Sequence, residues 1–179
     1  MHSPNSPPTC CRVEVTDRAC ALGSRALEIE KRTLGEEHVL VAKTKNNMGE
    51  VLRVEGKFEE ALLLYRQSLD VLVKVLGPGH VLVANTKNNM AGIYLKQGRS
   101  EEALQCYLEA MQAKIKVLGS EHVEVANTVE NIGVIYAQQG NHQAALAKLA
   151  EALAIRSAVR TLPQSIPRCL SSSQHALGR

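Results

Sequence analysis

A chain of 179 residues, 45% hydrophobic and 22% charged, has the balance of a soluble globular protein. A net charge of +3 without clustered Lys and Arg is too small for a nucleic-acid-binding surface. No apolar run approaches the roughly 20 residues needed to span a bilayer, so neither nucleic acid nor membrane is an expected partner.

Residues 1–18, MHSPNSPPTCCRVEVTDR, hold three of the six prolines and no apolar segment of signal-peptide length. They are expected to form a disordered lead-in without a secretory signal. The cysteines Cys10, Cys11, Cys20, Cys106 and Cys169 show no CxxC spacing and no paired His. They read as reduced thiols of a cytoplasmic protein, not as a disulfide framework or a zinc site.

From Val41 to Leu76 the chain reads VAKTKNNMGEVLRVEGKFEEALLLYRQSLDVLVKVL, and this pattern returns at a step of 42 residues. Ala61, Ala103 and Ala145 keep the step, as do Leu34-Gly35, Leu76-Gly77 and Leu118-Gly119, then His38, His80 and His122, and Asn47, Asn89 and Asn131. A helical period of this length means stacked supersecondary units. Each unit reads as two helices: Thr44, Met48, Val51 and Leu52 recur at helical spacing, Gly56 interrupts, and Ala61, Leu64, Tyr65, Ser68, Leu69 and Leu72 resume. The short connection Val54–Phe58 makes the two helices antiparallel neighbours. Small residues stand where they would touch, Gly49, Ala91 and Gly133 on the first and Ala61, Ala103 and Ala145 on the second. The units are 36–77, 78–119 and 120–159, preceded at 19–35 by a partial repeat holding the second helix only, with Gly23 in the register of Tyr65.

Past residue 159 the pattern stops, and 160–179 is expected to be a disordered basic tail. An equally weighted reading is that the array continues in a longer product and that this end reflects an altered splice or gene model. Leu146, Leu149, Leu153 and Ile155 of the last helix would then be an apolar face awaiting a neighbour, or a surface for self-association.

Met90-Ala91 with Tyr94, then Ala103 with Tyr107, resemble the tetratricopeptide repeat, as do Ile132-Gly133 with Tyr136 and Ala145. The chain departs from that signature at its first aromatic position, where Lys45, Lys87 and Val129 stand, and at Leu149. The long form, with LG, a His-containing turn, VA, TKNN, QG and EEA, is similar to kinesin light chain repeats, although Val39, Val81 and Val123 follow the turn His where Pro is usual. This resemblance implies an all-α fold, a right-handed superhelical α-solenoid of antiparallel helix pairs whose first helices line a concave groove. It also implies a protein partner bound through a linear peptide and, in a longer product, a link between cargo and kinesin heavy chain. The heptad-rich region that joins such light chains to the heavy chain is not found in this sequence.

At about 100° per residue, Met48, Gly49 and Leu52 point one way and Lys43, Asn46, Asn47, Glu50 and Arg53 the other. The corresponding groove candidates are Asn85, Asn88, Asn89 and Lys96 in the second unit and Asn127, Glu130, Asn131 and Gln138 in the third. An amide offers donors and an acceptor, so a row of Asn can bond an extended peptide backbone whatever its side chains. Asn is also a poor helix former, which makes its repeated mid-helix placement costly unless it binds something. A clamp for C-terminal carboxylates, which the family's chaperone-binding members build from Lys, Asn and Arg, is disfavoured because Asn127 and Asn131 occupy the basic places.

The recurring His38, His80 and His122 lie in different units that stack about 10 Å apart, so one metal ion cannot join them; they read as turn residues at the start of each first helix. His122-Val123-Glu124 lacks the P-C-x-x-C of a zinc deaminase, and Gly56-Lys57 lacks the Gly that a P-loop needs at Val51. No cofactor or catalytic constellation is expected, and the chain reads as a non-enzyme. Three functions remain: an adaptor binding a linear peptide, a structural scaffold that oligomerises through its terminal helices, or a regulatory repeat fragment of a larger signalling protein.

Overall fold

The computed structural model describes residues 9–161 of the protein. Among these residues the chain forms seven helices and no strand: α1 (Thr9–Leu34), α2 (Val39–Val54), α3 (Phe58–Leu76), α4 (Val81–Lys96), α5 (Ser100–Leu118), α6 (Val123–Gln138) and α7 (His142–Thr161). The pairs α2/α3, α4/α5 and α6/α7 are the expected units, and each helix also packs on its predecessor. Consecutive first helices meet as well, α2 against α4. The first helices therefore form a continuous row along one side of an all-α solenoid.

Helix ends follow a rule finer than the repeat. Gly35, Gly56, Gly77, Gly98, Gly119 and Gly140 all have φ between 76° and 88°, and they recur every 21 residues, half the repeat. A positive φ is nearly free only for glycine, so each marks a helix end, alternately within and between units. At the far side of each inter-unit turn, His38, His80 and His122 cap the next first helix. Their Nδ1 atoms accept the backbone N–H of Leu40, Leu82 and Glu124 at 3.2, 3.1 and 3.2 Å. The expected turn role of these histidines is thus a specific one: each satisfies one of the orphan donors of a helix N-terminus. The second helices begin at Phe58 and Ser100 without a side-chain cap, and Glu59-Glu60 and Glu101-Glu102 in their first turns complement the dipole instead.

The core is built from the small residues that the sequence places at the helix contacts. Ala61, Ala91, Ala103 and Ala145 are buried, together with Tyr65, Tyr94 and Tyr107, Leu62, Met90, Ile93, Ile132 and Ile135. Where a larger residue would intrude, glycine stands: a Cβ on Gly49 would lie 2.8 Å from Cε1 of Tyr65, and one on Gly133 3.3 Å from Cγ of Leu149. Ser68 ties the first pair together by donating to the carbonyl of Ala42 at 2.7 Å.

The departures from the aromatic signature have a structural explanation. Lys45 is buried, with burial first and the charge of Lys31 second holding its amine below the usual lysine range. Lys87 fills the same position with its stem and pairs with Glu109 of α5 at 2.6 Å, while Val129 is fully buried. Aliphatic stems and a valine thus occupy the slot that an aromatic ring would fill.

At the N-terminal end the structure corrects one expectation. Residues 9–18, assigned to a disordered lead-in, are helical, and α1 begins at Thr9 rather than at Ala19. Pro7-Pro8 precede that start, and no Pro or Gly interrupts the stretch before Gly23. Gly23 is the close approach between α1 and α2: a Cβ there would lie 2.9 Å from Cγ of Met48. At the other end α7 runs to Thr161, two residues into the expected tail. The rest of the expected lead-in and tail, residues 1–8 and 162–179, lies outside the described residues.

Candidate functional site

The row of first helices α2, α4 and α6 carries every candidate groove residue, and the structure sorts them into three groups. The first group faces outward. Asn47 is exposed, Asn89 and Asn131 are half-buried, and among the described residues none of the three makes a side-chain hydrogen bond. Lys43 and Lys96 are exposed, and Asn85 is half-buried.

The second group is engaged with neighbouring helices, between units or within one. Asn88 of α4 accepts a hydrogen bond from the Thr128 hydroxyl of α6 at 3.3 Å. Its counterpart Asn46 keeps a buried Oδ1 without a hydrogen-bond partner. Glu130, in the same register on α6, takes the guanidinium of Arg156 from α7, which also donates to Asn127 at 2.9 Å. This register therefore connects helices, and its amides are less available to a ligand than those of Asn47, Asn89 and Asn131.

The third group is a polar network confined to the first unit. Nε of Arg53 donates to Oε2 of Glu50 at 2.8 Å, a second guanidinium nitrogen pairs with Oε1, and the buried Tyr65 donates its hydroxyl to Oε2 at 3.1 Å. The hydrogen bonds from Arg53 hold the Glu50 carboxyl below the usual carboxylate range against the opposing effect of burial. Burial, aided by the Glu50 charge, raises the Tyr65 hydroxyl above its ordinary value, so it stays a donor. Arg53 is registered with Leu95 and Ala137, and Glu50 with Gly92 and Val134, so the network has no copy in later units. Lys96 aligns with Val54 and Gln138, one position beyond the Arg53 register.

A cluster that the sequence did not reveal sits where the first unit meets the second. Arg99 stacks over the Tyr94 ring at 4.5 Å from its centroid and pairs with Glu102, while Gln97 donates to Glu59 of α3 at 2.9 Å. Of these contacts Gln97–Glu59 crosses from one unit to the next, and none reaches a groove candidate. Among the described residues no cluster of three or more His, Cys, Asp or Glu could hold a metal ion, and no helix is long and apolar enough to cross a membrane. The Cys106 thiol lies half-buried on α5, with burial raising its pKa.

The sequence profile of the tetratricopeptide repeat family matches residues 9–74 and 82–158. The chain belongs to the tetratricopeptide repeat family. The first matched segment begins at the first residue of α1. No curated protein sequence matches significantly. Among solved structures, BtubC from P. vanneervenii is similar over 93% of this chain and 65% of its own, at 24% identity and a TM-score of 0.75. A putative kinesin light chain from Podosopora anserina, with nearly identical TPR-like repeats, is similar over 82% of this chain and 69% of its own, at 22% identity and a TM-score of 0.64. The N-terminal domain of stress-induced protein-1 from C. elegans matches 65% of the chain at 16% identity and a TM-score of 0.54. The tetratricopeptide array of this chain thus has the fold of kinesin light chain-like repeats, and it spans 65% of the BtubC chain. Tetratricopeptide repeats serve protein–protein interaction, and the family is generally non-catalytic.

Proposed function

We propose that this tetratricopeptide array is a cytoplasmic, non-catalytic adaptor that binds a linear peptide along its row of first helices. The observation that carries the reading is the amide ladder of Asn47, Asn89 and Asn131, three side chains in one register without an internal hydrogen-bond partner among the described residues. Amide side chains standing on a rigid scaffold can pair with the N–H and C=O groups of an extended chain while leaving its side chains free to select. Lys43 and Lys96 add positive charge to the same row and favour acidic ligands. The likeness to kinesin light chain repeats points to cargo-type peptides, including ones with a Trp among acidic residues, and to a motor link in a longer product.

A titration of the full chain with a labelled peptide carrying Trp between acidic residues tests this. Saturable binding weakened at least about ten-fold by Asn47→Ala/Asn89→Ala is expected, from the loss of two hydrogen-bonding amides. Equal affinity in the two proteins would remove the ladder from the ligand site.

A scaffold reading has one observation in its favour. Leu146 and Leu153 on α7 are 69% and 64% exposed, and Leu22 and Ile29 on α1 are 66% and 59% exposed. Leu149 and Ile155, expected on that same open face of α7, are instead partly buried. Sedimentation velocity over a concentration series, with Leu146→Gln/Leu153→Gln as control, separates self-association through this face from a monomeric adaptor.

A further inference from the structure

The internal repeats act as templates for one another, and one register breaks the pattern in an informative way. In the first unit the inner tyrosine, Tyr65, finds its acceptor in Glu50 at 3.1 Å. In the third unit both members of the pair are apolar, Leu149 and Val134, and no polar group needs satisfying. The second unit keeps the tyrosine, Tyr107, but has Gly92 where the carboxylate belongs. Tyr107 is buried to 3% exposure, and among the described residues its hydroxyl has no hydrogen-bond partner.

Gly92 is not required by the contacts around it. A Cβ there would meet only Oη of Tyr107, at 3.6 Å, which is ordinary van der Waals distance. A glycine in a helix interior is destabilising relative to alanine, and no close approach here explains it. What the glycine does leave is a gap on the half-buried surface of α4, in front of a hydroxyl donor. One turn further along the same helix, Lys96 is exposed and makes no ion pair among the described residues.

We propose that this recess is a subsite for the carboxylate of an Asp or Glu side chain of the bound peptide, which takes the place that Glu50 holds in the first unit. The inference rests on the groove reading and makes it more specific. The ligand carboxylate accepts from the Tyr107 hydroxyl, as Glu50 accepts from Tyr65, with Lys96 supplying the nearby positive charge. Burial keeps the Tyr107 hydroxyl protonated, and the field of Arg53 acts against that only in part. The acidic residue enters at the second unit alone, because Glu50 already fills the site in the first and the third has Leu149. This fixes the register of the peptide on the amide ladder.

The test is panning of a phage-displayed library of random linear peptides against the full chain, wild type and variants, with circular dichroism to confirm folding. Wild type is expected to select peptides with an acidic residue at one fixed position. Tyr107→Phe, which removes the donor, and Gly92→Glu, which fills the recess with an internal carboxylate, are each expected to erase that preference. In a selected peptide, changing the acidic residue to its amide should weaken binding to wild type about ten-fold and leave binding to both variants unchanged. If the selected peptides depend on Asn47 and Asn89 but show no acidic position, or keep it in both variants, the subsite is wrong and the groove stands. Peptides that ignore Asn47→Ala/Asn89→Ala, or a wild type that selects none, would overturn the groove and the subsite together.

Discussion

The first and second units share a register and a tyrosine, yet they solve the same contact differently. In α2/α3 the Tyr65 ring lies where a Cβ on Gly49 would be 2.8 Å away, and its hydroxyl is bound by Glu50. In α4/α5 Ala91 replaces Gly49, so the helices accommodate a methyl, and Gly92 replaces Glu50, so the hydroxyl faces a gap. The hydrophobic contact is kept in both, while the polar end of the tyrosine is satisfied in one unit and open in the other. An array built from copies thus holds its stacking constant and varies what the inner row presents.

Cutting the shared element should have the largest effect. Tyr65→Ala leaves a cavity in a fully buried site and is expected to lower stability by about 3–5 kcal/mol, read by urea denaturation. Swapping the small residues then separates the units. Gly49→Ala forces the Tyr65 ring to move and should cost about 1–3 kcal/mol, whereas Gly92→Ala meets only a 3.6 Å contact and should stabilise by about 0.5–1 kcal/mol. Opposite signs in the same assay are the result that matters; equal signs would mean that the two units do not differ as described.

Removing hydroxyls probes the polar end alone. Tyr65→Phe breaks a hydrogen bond to a carboxylate and should cost about 1–2 kcal/mol, while Tyr107→Phe should change stability by less than about 0.5 kcal/mol. The smallest effect is in pH. Because Arg53 holds the Glu50 carboxyl below its ordinary range, its contribution is complete above the ordinary value of about 4.3 and is lost as pH falls through the depressed one. Glu50→Gln should therefore flatten stability below about pH 4 relative to wild type, in acid denaturation monitored by circular dichroism.

Much of the fold was legible in the sequence because the repeat states it several times over. The step between Ala61, Ala103 and Ala145 gave the helix pairs, and Gly49 and Gly133 marked the close approaches that the structure contains. The half-repeat step of the turn glycines was equally present but hidden, since Gly56, Gly98 and Gly140 lack the Leu neighbour that makes Gly35, Gly77 and Gly119 conspicuous. The start of α1 was obscured by Pro4, Pro7 and Pro8, which give the lead-in a disordered composition although the helix begins just beyond them.

The candidate site was only partly legible. A helical wheel tells which face a residue takes, but not which neighbouring helix that face meets. Asn46 and Asn47 were assigned to one broad face, yet they point about 100° apart, and the Asn46 register is buried or bonded against neighbouring helices while the Asn47 register opens outward. Arg156 was equally invisible as a partner of Glu130 and Asn127, because that contact depends on how α7 lies against α6.

The most direct test of the central claim is NMR of the side-chain amides during titration with the Trp-containing acidic peptide. Asn47, Asn89 and Asn131 should shift together and saturate at one Kd, while Asn141, whose Oδ1 caps α7 by accepting from the Ala144 N–H at 3.2 Å, stays in place. Saturable binding that leaves those three amides unmoved would contradict the account and assign the ligand to another surface.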